Sequence, residues 1–123
     1  MNKDLGWDLE LNNGEMTKVT LNFYSLYMLR EGGDKSKAIY NRFQNIRMNG
    51  AKDELDQAYI AYTGYVCAHL DEEYMDFVDF LRELPPDRSS LINAIQMLLE
   101  PEAKKKLTLQ KYSKKRQEKA TNE

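Results

Sequence analysis

The chain has 123 residues, of which 41% are hydrophobic and 31% charged, with 18 Lys and Arg against 20 Asp and Glu. This is one domain's worth with a single modest core, and the mixed charge argues against a wholly disordered chain or a generally basic nucleic-acid binder. One cysteine, Cys67, and one histidine, His69, exclude an intramolecular disulfide, a cysteine-only zinc site and a classical zinc finger.

Met1 to Gly6 carries no apolar run, so no signal peptide is expected. No segment approaches the roughly 20 apolar residues of a membrane span, and a cytoplasmic location is expected. Trp7-Asp8-Leu9-Glu10-Leu11 alternates apolar and polar residues, Asn12-Asn13-Gly14 suits a tight turn, and Thr17 to Leu21 resumes the alternation. The pattern predicts a β-hairpin over residues 7–21. Two strands alone are marginal, so the hairpin must lean on something helical or pair with another chain.

From Asn22 the period becomes helical. Asn22 is placed to cap a first helix, Phe23 to Glu31, with Phe23, Leu26, Tyr27 and Met28 as its apolar residues and Gly32-Gly33 as its stop. Asp34 caps a second helix carrying Ile39, Phe43 and Ile46, closed by Asn49-Gly50. Asp53 and Glu54 open a third, where negative charge is favourable against the helix dipole. After Asp56 it has no ionised residue until Asp71. Its stripe of Leu55, Tyr59, Tyr62, Val66 and Leu70, widened by Ala58, Ala61, Tyr65 and Ala68, predicts a buried central helix. Tyr74, Phe77, Val78, Leu81 and Leu84 make a short fourth helix, with Asp76, Asp79 and Glu83 toward water, broken by Pro85-Pro86. Asp87 starts a fifth with Leu91, Ile95 and Leu98 on one side. The fold class expected is therefore mainly α: about five helices and an N-terminal hairpin in one domain over residues 1–100.

Residues 101–123 are a different material. They hold eight Lys or Arg against three Glu, a balance of +5, whereas the first 100 residues hold ten against 17, a balance of −7. An acidic body thus carries a basic tail that the net charge hides. With only Leu107, Leu109 and Tyr112 to anchor it, the tail is expected to be helical or disordered. It is read either as docking an acidic or amphipathic protein or as plain solvation, since the acidic body repels a duplex.

No catalytic, cofactor or metal-binding set is predicted. Cys67 and His69 are two residues apart, so on a helix they diverge by roughly 200° and form no dyad with each other. Cys67 reads as a small core residue and His69 as a helix-end residue with its polar tip at the surface. The acids at 71–73, 76 and 79 and at 53, 54 and 56 fall at helix starts or on a polar face, without the glycine of a calcium loop. Gly32-Gly33 follows no strand and precedes no Gly-Lys-Ser/Thr, so it is no phosphate loop. The eight tyrosines are left open between half-buried core residues and an aromatic contact surface.

The order of segments is familiar: Val19 to Arg30 leading to Asn49-Gly50, then Asp53 to Asp56 with the Tyr/Ala/Cys-rich run 58–69, then Tyr74 to Asp87, a leucine helix and a lysine-rich end. Over about residues 7–106 the chain resembles tail assembly chaperones of long, non-contractile-tailed bacteriophages and prophages of Gram-positive hosts. The resemblance implies a small helical protein, with no enzymatic activity or cofactor, that coats the tape measure protein in the host cytoplasm. Tail tube subunits then replace it, and it is absent from the finished virion. It further implies a longer form made by frameshifting, with which Lys104-Lys105-Lys106 is compatible.

The expected partners are therefore the tape measure and tail tube proteins, with self-association open, no membrane contact and nucleic acid disfavoured. Partner-binding residues are placed at Tyr74, Phe77 and Phe80 near the fourth helix, Tyr24 and Tyr27 on the first, and Lys111, Lys115 and Arg116 in the tail. Phe80 leads this set because it is read as lying off the stripe of Phe77, Leu81 and Leu84, exposed at a binding edge, with an ordinary packing contact as the alternative. The runner-up function is a small helical regulator contacting nucleic acid through its basic tail.

Overall fold

Asn12-Asn13-Gly14 closes the first unit of the fold in the computed structural model, which describes residues 6–99. Strands β1 (Trp7–Glu10) and β2 (Met16–Val19) pair antiparallel, with Trp7 opposite Val19 and Leu9 opposite Thr17. Gly14 takes φ +85°, a conformation other residues rarely adopt, and the Asn13 side chain accepts a hydrogen bond from the Glu15 N–H at 3.0 Å. The period of two sends Leu9 and Val19 inward, fully buried, and leaves Asp8 and Lys18 paired at 2.9 Å on the outer face.

Five helices follow among the described residues: α1 (Phe23–Glu31), α2 (Asp34–Asn49), α3 (Glu54–Ala68), α4 (Phe77–Glu83) and α5 (Ser89–Leu99). The molecule is mainly α with an N-terminal hairpin, as the sequence pattern predicts. Three helix starts share one device, a side-chain oxygen accepting the backbone N–H three residues on: Asn22 from Ser25, Asp53 from Asp56 and Asp76 from Asp79. Asp34 differs from expectation. Gly33 is the cap of α2 and Asp34 is its first residue, where its charge still faces the positive end of the dipole. Asp87 likewise stands outside α5, accepting hydrogen bonds from the N–H and hydroxyl of Ser89.

α3 is the centre. Every residue from Ala58 to Cys67 is buried, including Thr63, whose hydroxyl donates to the Tyr59 carbonyl at 2.8 Å. Leu55, predicted to begin the buried stripe, is more than half exposed, and the buried run of α3 begins at Ala58. The hairpin lies on α3 through β2 and on α5 through β1, with Thr20 N–H donating to the Gly64 carbonyl at 2.9 Å and Glu10 N–H to the Ser90 hydroxyl at 3.0 Å. Gly64 permits this approach: a Cβ there would lie 2.7 Å from Leu98 Cδ1 and 3.2 Å from Val19 Cβ. α2 packs on both α1 and α3, and α4 closes the side of α3 that carries the tyrosines.

The face of α4 is the main correction. Phe80 is fully buried and Val78 is the exposed residue. Phe77, Phe80, Leu81 and Leu84 are spaced three, one and three apart, which is one face of a helix, so Phe80 belongs to the stripe and Val78 lies off it. Tyr74 precedes α4 rather than joining it, because the Asp76 cap sets the helix start. Among the described residues no helix is long and apolar enough to cross a membrane. The basic segment 101–123, including Lys111, Lys115 and Arg116, lies outside the described residues.

Candidate functional site

α1 is a nine-residue helix with two apolar faces. Leu26 and Leu29, with Ser25 beside them, turn inward against the core. Four large residues turn outward instead: Phe23 is 92% exposed, Tyr24 70%, Tyr27 53% and Met28 42%. Phe23 and Tyr27 are four apart, as are Tyr24 and Met28, so the four form a continuous patch about one and a half turns long. Isolated exposed apolar residues are ordinary on a protein surface, but a contiguous aromatic patch marks an interaction site. Fully covering one such side chain is worth about 1.5–3 kcal/mol, so Phe23 and Tyr24 together could carry a specific contact.

The patch has a charged rim. The Arg30 guanidinium lies 5.7 Å from the centre of the Tyr27 ring, and its Nε–H donates to Glu31 at 2.8 Å. That hydrogen bond pushes the Arg30 pKa up further, so the group is permanently cationic. The field beyond the rim is also uneven. Residues 20–52, which hold α1 and α2, have six basic groups (Arg30, Lys35, Lys37, Arg42, Arg47, Lys52) against Glu31 and Asp34, a balance of +4. The other described residues have three basic groups against 13 acidic ones, a balance of −10.

Of the predicted site residues, Tyr24 and Tyr27 come together on this patch. Tyr74, Phe77 and Phe80 come together elsewhere, in an aromatic wall against α3. Phe80 sits 5.4 Å from Tyr62 and 5.3 Å from Tyr65, and Phe77 sits 4.7 Å from Tyr59, all between ring centres. Arg42 covers this wall from α2, 4.1 Å from the Tyr59 ring and 5.2 Å from Phe77, and Lys35 stands 4.7 Å over Tyr74. Two phenols grip the backbone before α4: Tyr62 donates to the Met75 carbonyl at 2.9 Å, while the Tyr65 oxygen accepts from Met75 N–H at 3.0 Å. Burial raises the pKa of Tyr59 and Tyr62, so both phenols are neutral at physiological pH and Tyr62 keeps the proton it donates to Met75. Phe80, in the middle of the wall, offers no exposed edge to a partner.

The tyrosines thus divide. Tyr59, Tyr62 and Tyr65 are core, Tyr40 and Tyr74 are half-buried, Tyr24 and Tyr27 are surface, and Tyr112 lies outside the described residues. Phe23 is a functional candidate that sequence reasoning counted only among the apolar residues of the first helix. The signal that could have found it is an excess: Leu26 and Leu29 already supply an inner face, so the residues at 23, 24, 27 and 28 need a second one.

Cys67 is buried, and burial pushes its thiol up to about 12, away from any nucleophilic role near neutrality. His69 is not a free surface group. Its Nδ1 is 2.7 Å from the Tyr65 carbonyl and its Nε2 is 3.4 Å from the Thr17 hydroxyl, joining the end of α3 to β2. Among the described residues no group of three or more His, Cys, Asp or Glu is arranged to hold a metal ion. No protein-family model matches the chain, and neither curated proteins nor solved structures give a match.

Proposed function

We propose that this chain is a cytoplasmic, non-virion tail assembly chaperone that keeps a tape measure protein soluble until tail tube subunits replace it. The observation that carries this reading is the outward aromatic face of α1, on a helix whose other face is already satisfied by the core. A tape measure protein presents long apolar helical stripes before it is encased, and an apolar helix face recognises such stripes by side-to-side packing. The resemblance of the segment order to tail assembly chaperones supports the same reading. The client surface accordingly centres on α1, where Tyr24 and Tyr27 were already expected to bind, and no longer on Phe80 of α4, which led that expectation.

Co-expression with the tape measure protein of the same tail gene cluster tests this. The long protein should be recovered in soluble complex with the chain, and Phe23→Ser with Tyr24→Ser should weaken the complex while leaving Tm within a few degrees of the parent. A long protein that is equally soluble without the chain ends the chaperone reading. A soluble complex unaffected by both substitutions keeps the function and removes α1 as its surface.

A further inference from the structure

We infer that two copies of this chain pair through α1, antiparallel about a two-fold axis, so that each covers the other's outward aromatic face. Such a dimer goes beyond the chaperone reading and needs no client, since it occupies the face in the free protein. Two properties of the patch carry it. The first is its pattern. Phe23, Tyr24, Tyr27 and Met28 stand at positions i, i+1, i+4 and i+5, a spacing that is the same in both chain directions. An antiparallel copy therefore sets Phe23 against the partner subunit's Met28 and Tyr24 against the partner subunit's Tyr27, and the two-fold axis repeats both contacts. Each large side chain of the face meets another large one. Ser25, Leu26 and Leu29, the buried residues of α1, lie on the opposite side of the helix, so the pairing does not compete with packing on the body.

The second property is area. An aromatic side chain buries about 150–250 Å² when covered, so at the exposures of these four residues one face offers about 500 Å² and two faces about 1,000 Å², the lower bound for a specific interface. Within α1 no like charges oppose the pairing. Its ionised residues, Arg30 and Glu31, are paired with each other at 2.8 Å in the last turn. In the antiparallel register they fall opposite the uncharged Leu21 and Thr20 of the partner subunit, ahead of its helix. A two-fold contact uses the same patch on both copies and closes on itself, so assembly stops at two. The chain's own 101–123 segment matches the face less well, because its apolar residues Leu107, Leu109 and Tyr112 lack that spacing.

Sedimentation equilibrium of the full chain tests this. The mass should rise from one chain to two with concentration, with a dissociation constant on the order of 10 µM, the weak end that so small an interface gives. Phe23→Ser and Tyr24→Ser, each alone, should weaken pairing about tenfold or more, since every substitution removes a contact from both copies. Both side chains are exposed, so Tm should stay within a few degrees of the parent. A mixed sample of isotope-labelled and unlabelled chain reads the direction: filtered NOEs should join the Phe23 ring to the Met28 methyl of the other copy. A monomer at about 1 mM, a species larger than a dimer, or a dimer that survives both substitutions overturns the inference. So do NOEs from Phe23 to Phe23 of the other copy in place of Met28, which belong to parallel pairing. NOEs from Phe23 to Leu109 or Tyr112 do the same, by putting the C-terminal segment on the face. No tape measure protein is present, so pairing can fail while co-expression supports the chaperone, and pairing can hold while co-expression fails.

Discussion

α3 and α1 are built from the same kinds of residue and meet opposite fates. Tyr62 on α3 is buried among Tyr59, Tyr65, Phe77 and Phe80, with its hydroxyl on the Met75 carbonyl. Tyr24 on α1 is 70% exposed among the described residues. The difference does not lie in the side chain. α3 is covered from several sides by β2, α2, α4 and α5, whereas among the described residues α1 packs mainly on α2 and α3 and leaves Phe23, Tyr24, Tyr27 and Met28 exposed. An aromatic residue in this protein is core where neighbours surround it and surface where they do not.

Exchanging each tyrosine for aspartate tests that contrast most severely. Tyr62→Asp places an unpaired charge in the core, costing several kcal/mol, roughly the whole stability of a small domain, and the variant should show no cooperative melt. Tyr24→Asp should melt within about 0.5 kcal/mol of the parent. Equal melting of the two variants would abolish the distinction between the helices.

The next effect sharpens the comparison on α4. Phe80→Ala removes a ring packed on Tyr62 and Tyr65 and should cost about 3–5 kcal/mol, lowering Tm by about 15 °C or more. Val78→Ala, one turn edge away, should change it little. A tolerant Phe80 would return α4 to the list of binding edges.

The smallest effect at neutral pH comes from Cys67. Its folded pKa, about 12, lies above the ordinary thiol value of 9.0, so the folded state holds its proton longer than the unfolded state does. That contribution is fully present below pH 9 and is lost as pH rises toward 12. Urea midpoints should fall over this window in the parent and fall less steeply in Cys67→Ala, and thiol labelling of the native protein should be slow at pH 8. Fast labelling would mean that the end of α3 opens readily.

Much of this was readable in advance, for local reasons. Asn22 precedes its helix at the cap position, Asp53 opens α3, Asn13-Gly14 marks the turn, and a run without charges marks α3, whereas Asp76, the cap of α4, was read as a water-facing residue within that helix. Each signal acts within a few residues. The errors share another cause. Leu55 and Phe80 were placed by spacing within short segments, but exposure depends on which distant element arrives over each face. α4 has seven residues, so its stripe rests on four positions, and choosing Val78 over Phe80 reversed it. The candidate surface was half legible: Tyr24 and Tyr27 were marked as contact residues, and Phe23 beside them was not.

The meeting of Val19, Gly64 and Leu98 has a consequence for the order of synthesis. These residues are brought together from three distant parts of the chain, and Gly64 is the point where β2 and α5 close on α3. Contacts so far apart in sequence form late, because the intervening chain must first be made and its loops closed. The hairpin leaves the ribosome first, yet β1 lacks its support until α5 has followed it out. Until then one flank of α3, with Gly64 at its middle, stays open. The chain thus passes through a stage, during its own translation, in which its most buried helix is still unshielded.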